Sequence, residues 1–254
     1  MTDLRTPPVN DGDLFSERAR QYALEKPLQR IHVLEAGCGW GTGLDLGDHE
    51  HHVTGIDLDA PELRAHTRER ADLDAWHLGD LRTVPLPPRA YDIVHAAYLI
   101  ERVPHAELVL DRFVAALKPG GLLLVQLRDR DTAFGFLDRM LPRWLRMSGR
   151  DPRGTHARGV PHPAGGRAPG PPEPALYERV ASRAGMHWYC VMRGLVVSQE
   201  YTSRRAIEAL GAGSGPAELL CRLVSTVTRG RLTADHSDIT LVIRKPENRF
   251  ARII

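Results

Sequence analysis

Apolar residues along this chain switch between a helical and a strand-like period, and the switches predict the order of elements. Leu14, Phe15, Ala19 and Tyr22 fall near one face of a helix over Leu14–Lys26, which Pro27 stops. Short apolar runs at Ile31–Glu35, Val53–Asp57, Ala75–Leu78, Tyr91–Ala96 and Leu122–Leu127 have strand length. Pro61 opens a helix to about Ala71, since proline is tolerated in a first helical turn. Ala106–Leu117 predicts a helix with Leu108, Leu110, Phe113, Val114 and Leu117 facing inward, ended by Pro119, Gly120 and Gly121. Thr42–His52 is a poor helix, with Gly43, Gly47 and the polar end DHEHH. Strands alternating with helices predict a parallel sheet covered on both faces.

Beyond Leu127 the pattern changes. Thr132–Met147 predicts a helix that Pro142 kinks or splits. Ser148–Ala175 is crowded with Pro and Gly, lacks an apolar period, and predicts a long loop or lid. Leu176–Ala184 predicts a helix closed by Gly185, His187–Val197 a strand, Ser203–Arg229 one or two helices, and Asp238–Arg244 the last strand.

Composition narrows the class without naming a chemistry. The 254 residues suit one α/β unit, and 42% hydrophobic with 26% charged residues is ordinary for a globular chain. A net charge of +2 gives no reason to expect nucleic acid or membrane. Cys38, Cys190 and Cys221 are odd in number and form no CxxC, which predicts reduced thiols. With no signal-like apolar core at the start and no run of membrane-spanning length, the expected location is cytoplasmic. Only Lys26, Lys118 and Lys245 of the 34 basic residues are lysine, which reads as a mark of source rather than of mechanism.

The chemistry starts at VLEAGCGWGTGL, Val33–Leu44, followed by GIDLD, Gly55–Asp59. A strand feeds a turn with Gly37, Gly39, Gly41 and Gly43, and the next strand ends on Asp57, 22 positions after Glu35. Small residues let backbone approach a ligand, and an acid at the second strand's end suits two ribose hydroxyls. The dinucleotide fingerprint G-x-G-x-x-G/A would place its small last residue at Thr42 or Leu44, and neither is right. A Walker A loop needs a lysine, and none lies between Lys26 and Lys118. What remains is E-x-G-x-G-x-G, whose acid repels a pyrophosphate and suits an ammonium group.

Five blocks in order resemble the class I S-adenosylmethionine-dependent methyltransferases, in the small-molecule group close to methyltransferase type 11 and ubiquinone-biosynthesis enzymes. They are VLEAGCGWG (Val33–Gly41), GIDLD (Gly55–Asp59), HLGDL (His77–Leu81), YDIVHAAYLIERV (Tyr91–Val103) and LKPGGLLLVQ (Leu117–Gln126). The resemblance implies an α/β, Rossmann-like, doubly wound seven-stranded sheet, mostly parallel with one antiparallel strand near the C-terminus, and helical lid insertions. It implies a single domain over 1–254, with a helical cap at 1–30, a cofactor core at 31–127, lid and substrate insertions at 128–237, and a last strand and tail at 238–254. The implied cofactor is S-adenosylmethionine, with Glu35 beside its amine, Gly37, Cys38 and Gly39 along its methionine part, and Asp57 and Leu58 at the ribose. Asp80 and Leu81 would meet the adenine, and Ala96 and Tyr98 would border the transferred methyl. Tyr22 touches the cofactor from the leading helix or only packs that helix.

The implied reaction is methyl transfer to a small-molecule acceptor by a monomer or homodimer, with no nucleic acid and no membrane. An RNA or protein methyltransferase, or a non-methylating protein keeping the fold, are the alternatives. The family often carries a Glu-His pair after the fourth strand; this chain has Glu101-Arg102. Glu101 is therefore the leading base candidate, followed by His156 and His162, while His95 reads as a core residue. HEHH at His49–His52 abuts a strand and reads as a solvated loop, so no metal site is expected. Arg128–Arg167 holds nine Arg against four Asp, a solvated face or a receiver for an anionic substrate.

Overall fold

The computed structural model describes residues 14–39, 43–141 and 175–247. Its strands are β1 (Ile31–Ala36), β2 (His51–Asp57), β3 (Ala75–Leu78), β4 (Tyr91–Ala97), β5 (Leu117–Arg128), β6 (Val196–Ser203) and β7 (Asp238–Arg244). They form one sheet in the order β3-β2-β1-β4-β5-β7-β6. The first five pair in parallel, and β7 runs antiparallel to both β5 and β6. Sequence order reverses direction between β1 and β4, which makes the crevice at their carboxyl ends the topological switch point where open α/β sheets bind ligands.

Strand alternation sorts the core into two layers. Leu34, Ala36, Ile56, Val94 and Ala96 face α3 (Ala106–Ala116) and α5 (Arg183–Arg193). Ile31, Val33, Val53 and Ile93 face Phe15, Ala19, Tyr22 and Ala23 of α1 (Leu14–Leu24). Each fully buried large side chain in these layers contributes about 1.5–3 kcal/mol. A third cluster joins Phe134 of α4 (Ala133–Met140) to Ile207 of α6 (Arg205–Glu208) and to Ala217 and Cys221 of α7 (Ser214–Val227). Residues 43–50 form no helix, as their sequence predicts, and Leu46 plugs the α1 layer from that loop. Helix α2 (Pro61–Glu69) follows β2 with Pro61 at its start.

The amino-terminal rim of the sheet is tied by all three lysines. Lys26 and Lys118 donate to Asp92 at the start of β4, at 3.2 and 2.5 Å. Lys245, just past β7, donates to the carbonyls of Val114 and Leu117 at 2.6 and 2.7 Å.

Three sequence expectations need correction. His187–Val197 is not a strand: its first half lies in α5, and β6 begins only at Val196. Met186, Tyr189 and Cys190 recur at helical spacing against the core, whereas Trp188, Val191 and Met192 stay exposed, so β-favouring residue types masked a helical period. Ser182 caps this helix by accepting from the Gly185 N–H at 3.0 Å, and Gly194 in the left-handed region ends it. Leu176–Ala184 is mostly extended chain and turn, not a helix, and the N–H groups of Leu176 and Tyr177 dock it onto the Glu101 carbonyl. Leu108 points outward at 49% exposure, out of phase with Val109, Leu110 and Phe113. In the stretch expected to be helical over Thr132–Met147, the helix runs Ala133–Met140, and the residues from 142 lie outside those described. The expected Ser148–Ala175 lid falls outside them too, apart from Ala175.

Candidate cofactor and acceptor site

The glycine turn leaves β1 and is pinned to β2. Gly37, at φ 80°, occupies a region that favours glycine, and its N–H donates to the Ile56 carbonyl at 2.8 Å. The Gly39 N–H donates to Asp57 Oδ2 at 2.8 Å, and the Leu58 N–H donates to Asp57 Oδ1 at 2.7 Å. A Cβ on Gly39 would lie 3.0 Å from Asp57 Oδ2 and 2.7 Å from Leu63 Cδ2, so only glycine allows this approach. Cys38 is buried with its sulfur against Gly55, and burial pushes its thiol up to about 12. It stays a neutral thiol near pH 7 and is no nucleophile. Arg70 braces the turn from outside, donating to the Cys38 carbonyl at 2.6 Å and pairing with Asp72.

Glu35 sits opposite His95 across the β1–β4 ladder, with His95 Nδ1 2.6 Å from Glu35 Oε2. An ionised carboxylate only accepts, so Nδ1 carries the proton in this contact. Phe15 meets the His95 ring edge-on at 5.2 Å between centroids. His95 is thus a buried, satisfied residue, and its partner is the acid expected beside the ligand's amine.

Asp80 follows β3, where the Gly79 N–H donates to the Asp57 carbonyl at 2.8 Å. Arg82 clamps the Asp80 carboxylate with Nε at 2.9 Å and Nη2 at 2.6 Å and holds it low, at about 2, so it is ionised near pH 7. Leu81 is buried in the core. Ala96 pairs with Ala36 and Val125 inside β4, and its side chain is buried in the core. Tyr98 follows at φ 53°, an uncommon conformation for a non-glycine residue, and turns its ring beneath the Arg128 guanidinium at 5.9 Å.

Glu35, Gly37, Cys38, Gly39, Asp57 and Leu58 are brought together at the carboxyl ends of β1 and β2. Asp80 and Leu81 lie at the next strand end, and Ala96 at that of β4. Tyr22 does not join them. Its hydroxyl meets Asp92 at 3.3 Å and Lys26 at 2.5 Å, at the opposite rim of the sheet, so it packs and anchors α1. Burial places it on the correct face of α1 but the wrong end of β4. Glu101 is fully buried, and burial pushes its carboxyl above the usual range despite Arg102 and Arg128. His156, His162 and Gly41 lie outside the described residues.

Sequence reasoning missed Arg128, Asp138, Tyr177 and Asp238, all of them buried near Glu101. One signal was present: Arg128 and Asp238 are charges that directly flank the apolar runs of their strands. Of the basic stretch, Arg130 donates to the Tyr177 carbonyl and Arg139 to the carbonyls of Gly135 and Arg130, so its described part is turned onto the protein. Among the described residues, no group of three or more His, Cys, Asp or Glu could hold a metal, and no helix is long and apolar enough to cross a membrane. A cleft of about 710 Å³ lined by Glu107, Arg130, Arg179 and Trp188 includes none of the candidate residues.

Residues 12–162 match the methyltransferase domain family. The chain belongs to the class I S-adenosylmethionine-dependent methyltransferases. A Mycolicibacterium smegmatis protein described as an S-adenosylmethionine-dependent methyltransferase is 41% identical over 103 residues, covering 39% of each chain. A trans-aconitate 2-methyltransferase of Variovorax paradoxus is 30% identical over 115 residues, 44% of each chain. A malonyl-[acyl-carrier protein] O-methyltransferase of Serratia marcescens is 29% identical over 118 residues, 46% of this chain and 44% of its own. The chain thus spans less than half the length of these curated methyltransferases. Among solved structures, an S-adenosylmethionine-dependent methyltransferase assignment from Listeria monocytogenes superposes with TM-score 0.55 at 14% identity, covering 91% of this chain and 100% of that one. The [4+2]-cyclase SpnF superposes with TM-score 0.51 at 18% identity, covering 92% and 81%. That pair shows the methyltransferase fold and leaves the reaction to the site.

The family's cofactor is S-adenosylmethionine, and the donor set fits it. The cradle at Gly39, which a Cβ would fill, faces an acid that two backbone N–H groups orient.

Proposed function

We propose that the protein transfers a methyl group from S-adenosylmethionine to a small-molecule acceptor. Asp57 carries this reading: a buried carboxylate at the second strand's end, fixed against a glycine turn at the sheet's switch point. In this reading Glu35, oriented by His95, balances the ligand's ammonium, Asp57 takes the ribose hydroxyls, and ionised Asp80 accepts from the adenine amino group. Gly37, Cys38 and Gly39 offer backbone, Leu58 lies at the ribose, Leu81 offers backbone to the adenine, and Ala96 borders the transferred methyl. Bound S-adenosylmethionine supplies an electrophilic methyl on a sulfonium sulfur. Holding the acceptor in line contributes much of the rate.

Glu101 takes the acceptor's hydroxyl or amine proton. Its raised carboxyl moves toward neutral pH, where a general base works best. Turnover then rises with pH as Glu101 ionises.

Calorimetric titration with S-adenosylmethionine and S-adenosylhomocysteine tests the reading. Asp57→Ala removes charge-assisted hydrogen bonds of about 1.5–3 kcal/mol, so affinity falls about tenfold or more with the far-ultraviolet spectrum unchanged. Equal affinity in the variant refutes the ribose role, and no binding by the folded wild type refutes the function.

A further inference from the structure

The connection between β6 and β7 starts and ends on the rim that carries the candidate cofactor site, since Ser203 and Arg128 both pair with Asp238. Within it, α7 packs toward Phe134 of α4 through Ala217, Cys221 and Val224. At about 100° per residue, that buried face leaves a second face of α7 apolar as well. Leu219, Leu220, Leu223 and Val227 recur there at i, i+1, i+4 and i+8, and they are between 50% and 75% exposed. Exposed Pro216 continues the stripe into the first turn. Single exposed apolar residues are ordinary, whereas four large ones side by side on one helix face mark a docking surface.

Charge tells what docks. Arg222 is exposed and flanks the stripe near the middle of its length. Arg229 and Arg231 are exposed in the turn just past Val227, which the Gly230 N–H holds to the helix by donating to the Ser225 carbonyl at 2.8 Å. The one acid of α7, Glu218, is already met by Arg204 at 3.1 Å and Arg222 at 2.5 Å. Over residues 204–235, five Arg stand against Glu208, Glu218 and Asp235. A second copy packed stripe to stripe, antiparallel about a two-fold axis, would set Arg222 against itself. An anionic lipid surface suits both features: apolar side chains enter the acyl boundary and guanidinium groups meet phosphates. With 14 residues α7 is about 21 Å long, short of a hydrocarbon core of about 30 Å, so it lies in the surface and does not cross.

We propose that α7 docks this protein on an anionic phospholipid surface, with Leu219, Leu220, Leu223 and Val227 in the acyl boundary and Arg222, Arg229 and Arg231 at the headgroups. The net charge of +2 hides this placement, because the charge that matters is local. Docking through α7 turns the rim with the candidate cofactor site toward the lipid and leaves the lysine-tied rim facing away.

The test is flotation of the full chain with vesicles of phosphatidylcholine alone and of phosphatidylcholine mixed with phosphatidylglycerol. The protein floats with the mixed vesicles and partitions about tenfold less onto phosphatidylcholine alone. Leu219→Ser with Leu223→Ser lowers partitioning onto the mixed vesicles about tenfold or more, and Arg229→Glu with Arg231→Glu does the same. All four positions are exposed, so both variants keep their melting temperature within about 2 °C of wild type. Failure to float with the mixed vesicles, equal partitioning onto neutral ones, or undiminished flotation of either folded variant overturns the proposal. A wild-type dimer that dissociates in the leucine variant puts a second copy on the stripe and overturns it too. So does a leucine variant whose melting temperature falls by more than about 5 °C, which would place the chain's own packing there.

Discussion

Asp92 is the residue whose removal should cost the fold most at the rim away from the chemistry. It is 1% exposed, and its two oxygens serve four donors. Oδ1 accepts from the Tyr22 hydroxyl at 3.3 Å and from Lys26 at 3.2 Å, while Oδ2 accepts from the His32 N–H at 3.1 Å and from Lys118 at 2.5 Å. Asp92→Ala leaves the Tyr22 hydroxyl and the His32 N–H short of an acceptor, at about 1–3 kcal/mol each where water cannot replace it. The lysine side chains are 27% and 33% exposed, so their ammonium groups turn to solvent and add little. The expected loss is about 3 kcal/mol, the low end for breaking a buried ion pair.

Urea unfolding followed by circular dichroism reads that loss as a midpoint lower by about 1–2 M with the slope unchanged. Burial alone would raise the Asp92 carboxyl, but Lys118, the His32 N–H and Lys26 outweigh it and hold the group below the usual range. A depressed folded pKa contributes stability that is present above the unfolded value, near pH 4, and is lost as pH falls through the folded one. The gap between wild type and Asp92→Asn should therefore be full at pH 7 and narrow steadily below about pH 4. A midpoint within about 0.3 M of wild type at pH 7, or a gap undiminished at pH 3, refutes the reasoning.

Two further substitutions probe other links. Gly39→Ala forces a Cβ to 2.7 Å from Leu63 and 3.0 Å from the oriented Asp57 carboxylate. Strain of about 1–3 kcal/mol should cut S-adenosylhomocysteine affinity by about tenfold, and unchanged calorimetric affinity would show that the cradle yields freely. Ser182→Ala removes the cap of α5 and should lower stability by about 1 kcal/mol, a melting shift of roughly 2–4 °C, leaving cofactor affinity unchanged. An unshifted melting curve would show the cap to be dispensable.

The candidate cofactor side was legible because its parts are local. Glu35, Gly37, Gly39 and Asp57 belong to two consecutive strand ends, and spacing alone brings them within reach through the parallel β1–β2 register. Five strands and the last one followed from apolar runs for the same reason. The buried cluster around Glu101 was not legible, because Tyr98, Arg128, Tyr177 and Asp238 meet only after the antiparallel return of β7 and the path leading to α5 are fixed. Trp188, Tyr189 and Val191 misled the reading of α5, since strand-favouring types carry no information about which side chains find a core. Tyr22 shows another limit: periodicity gives the buried face of a helix but not the end of the sheet beneath it.

The three lysines have a use beyond stability. They are the chain's only side-chain amines, and each is held at the rim where the parallel strands begin. An acylating reagent finds them reactive only when the ammonium group lets go of its acceptor and loses its proton. Amine labelling followed by mass spectrometry would thus act as a clock for the opening of that rim, and immobilisation through amines would grip the molecule by its framework rather than its surface.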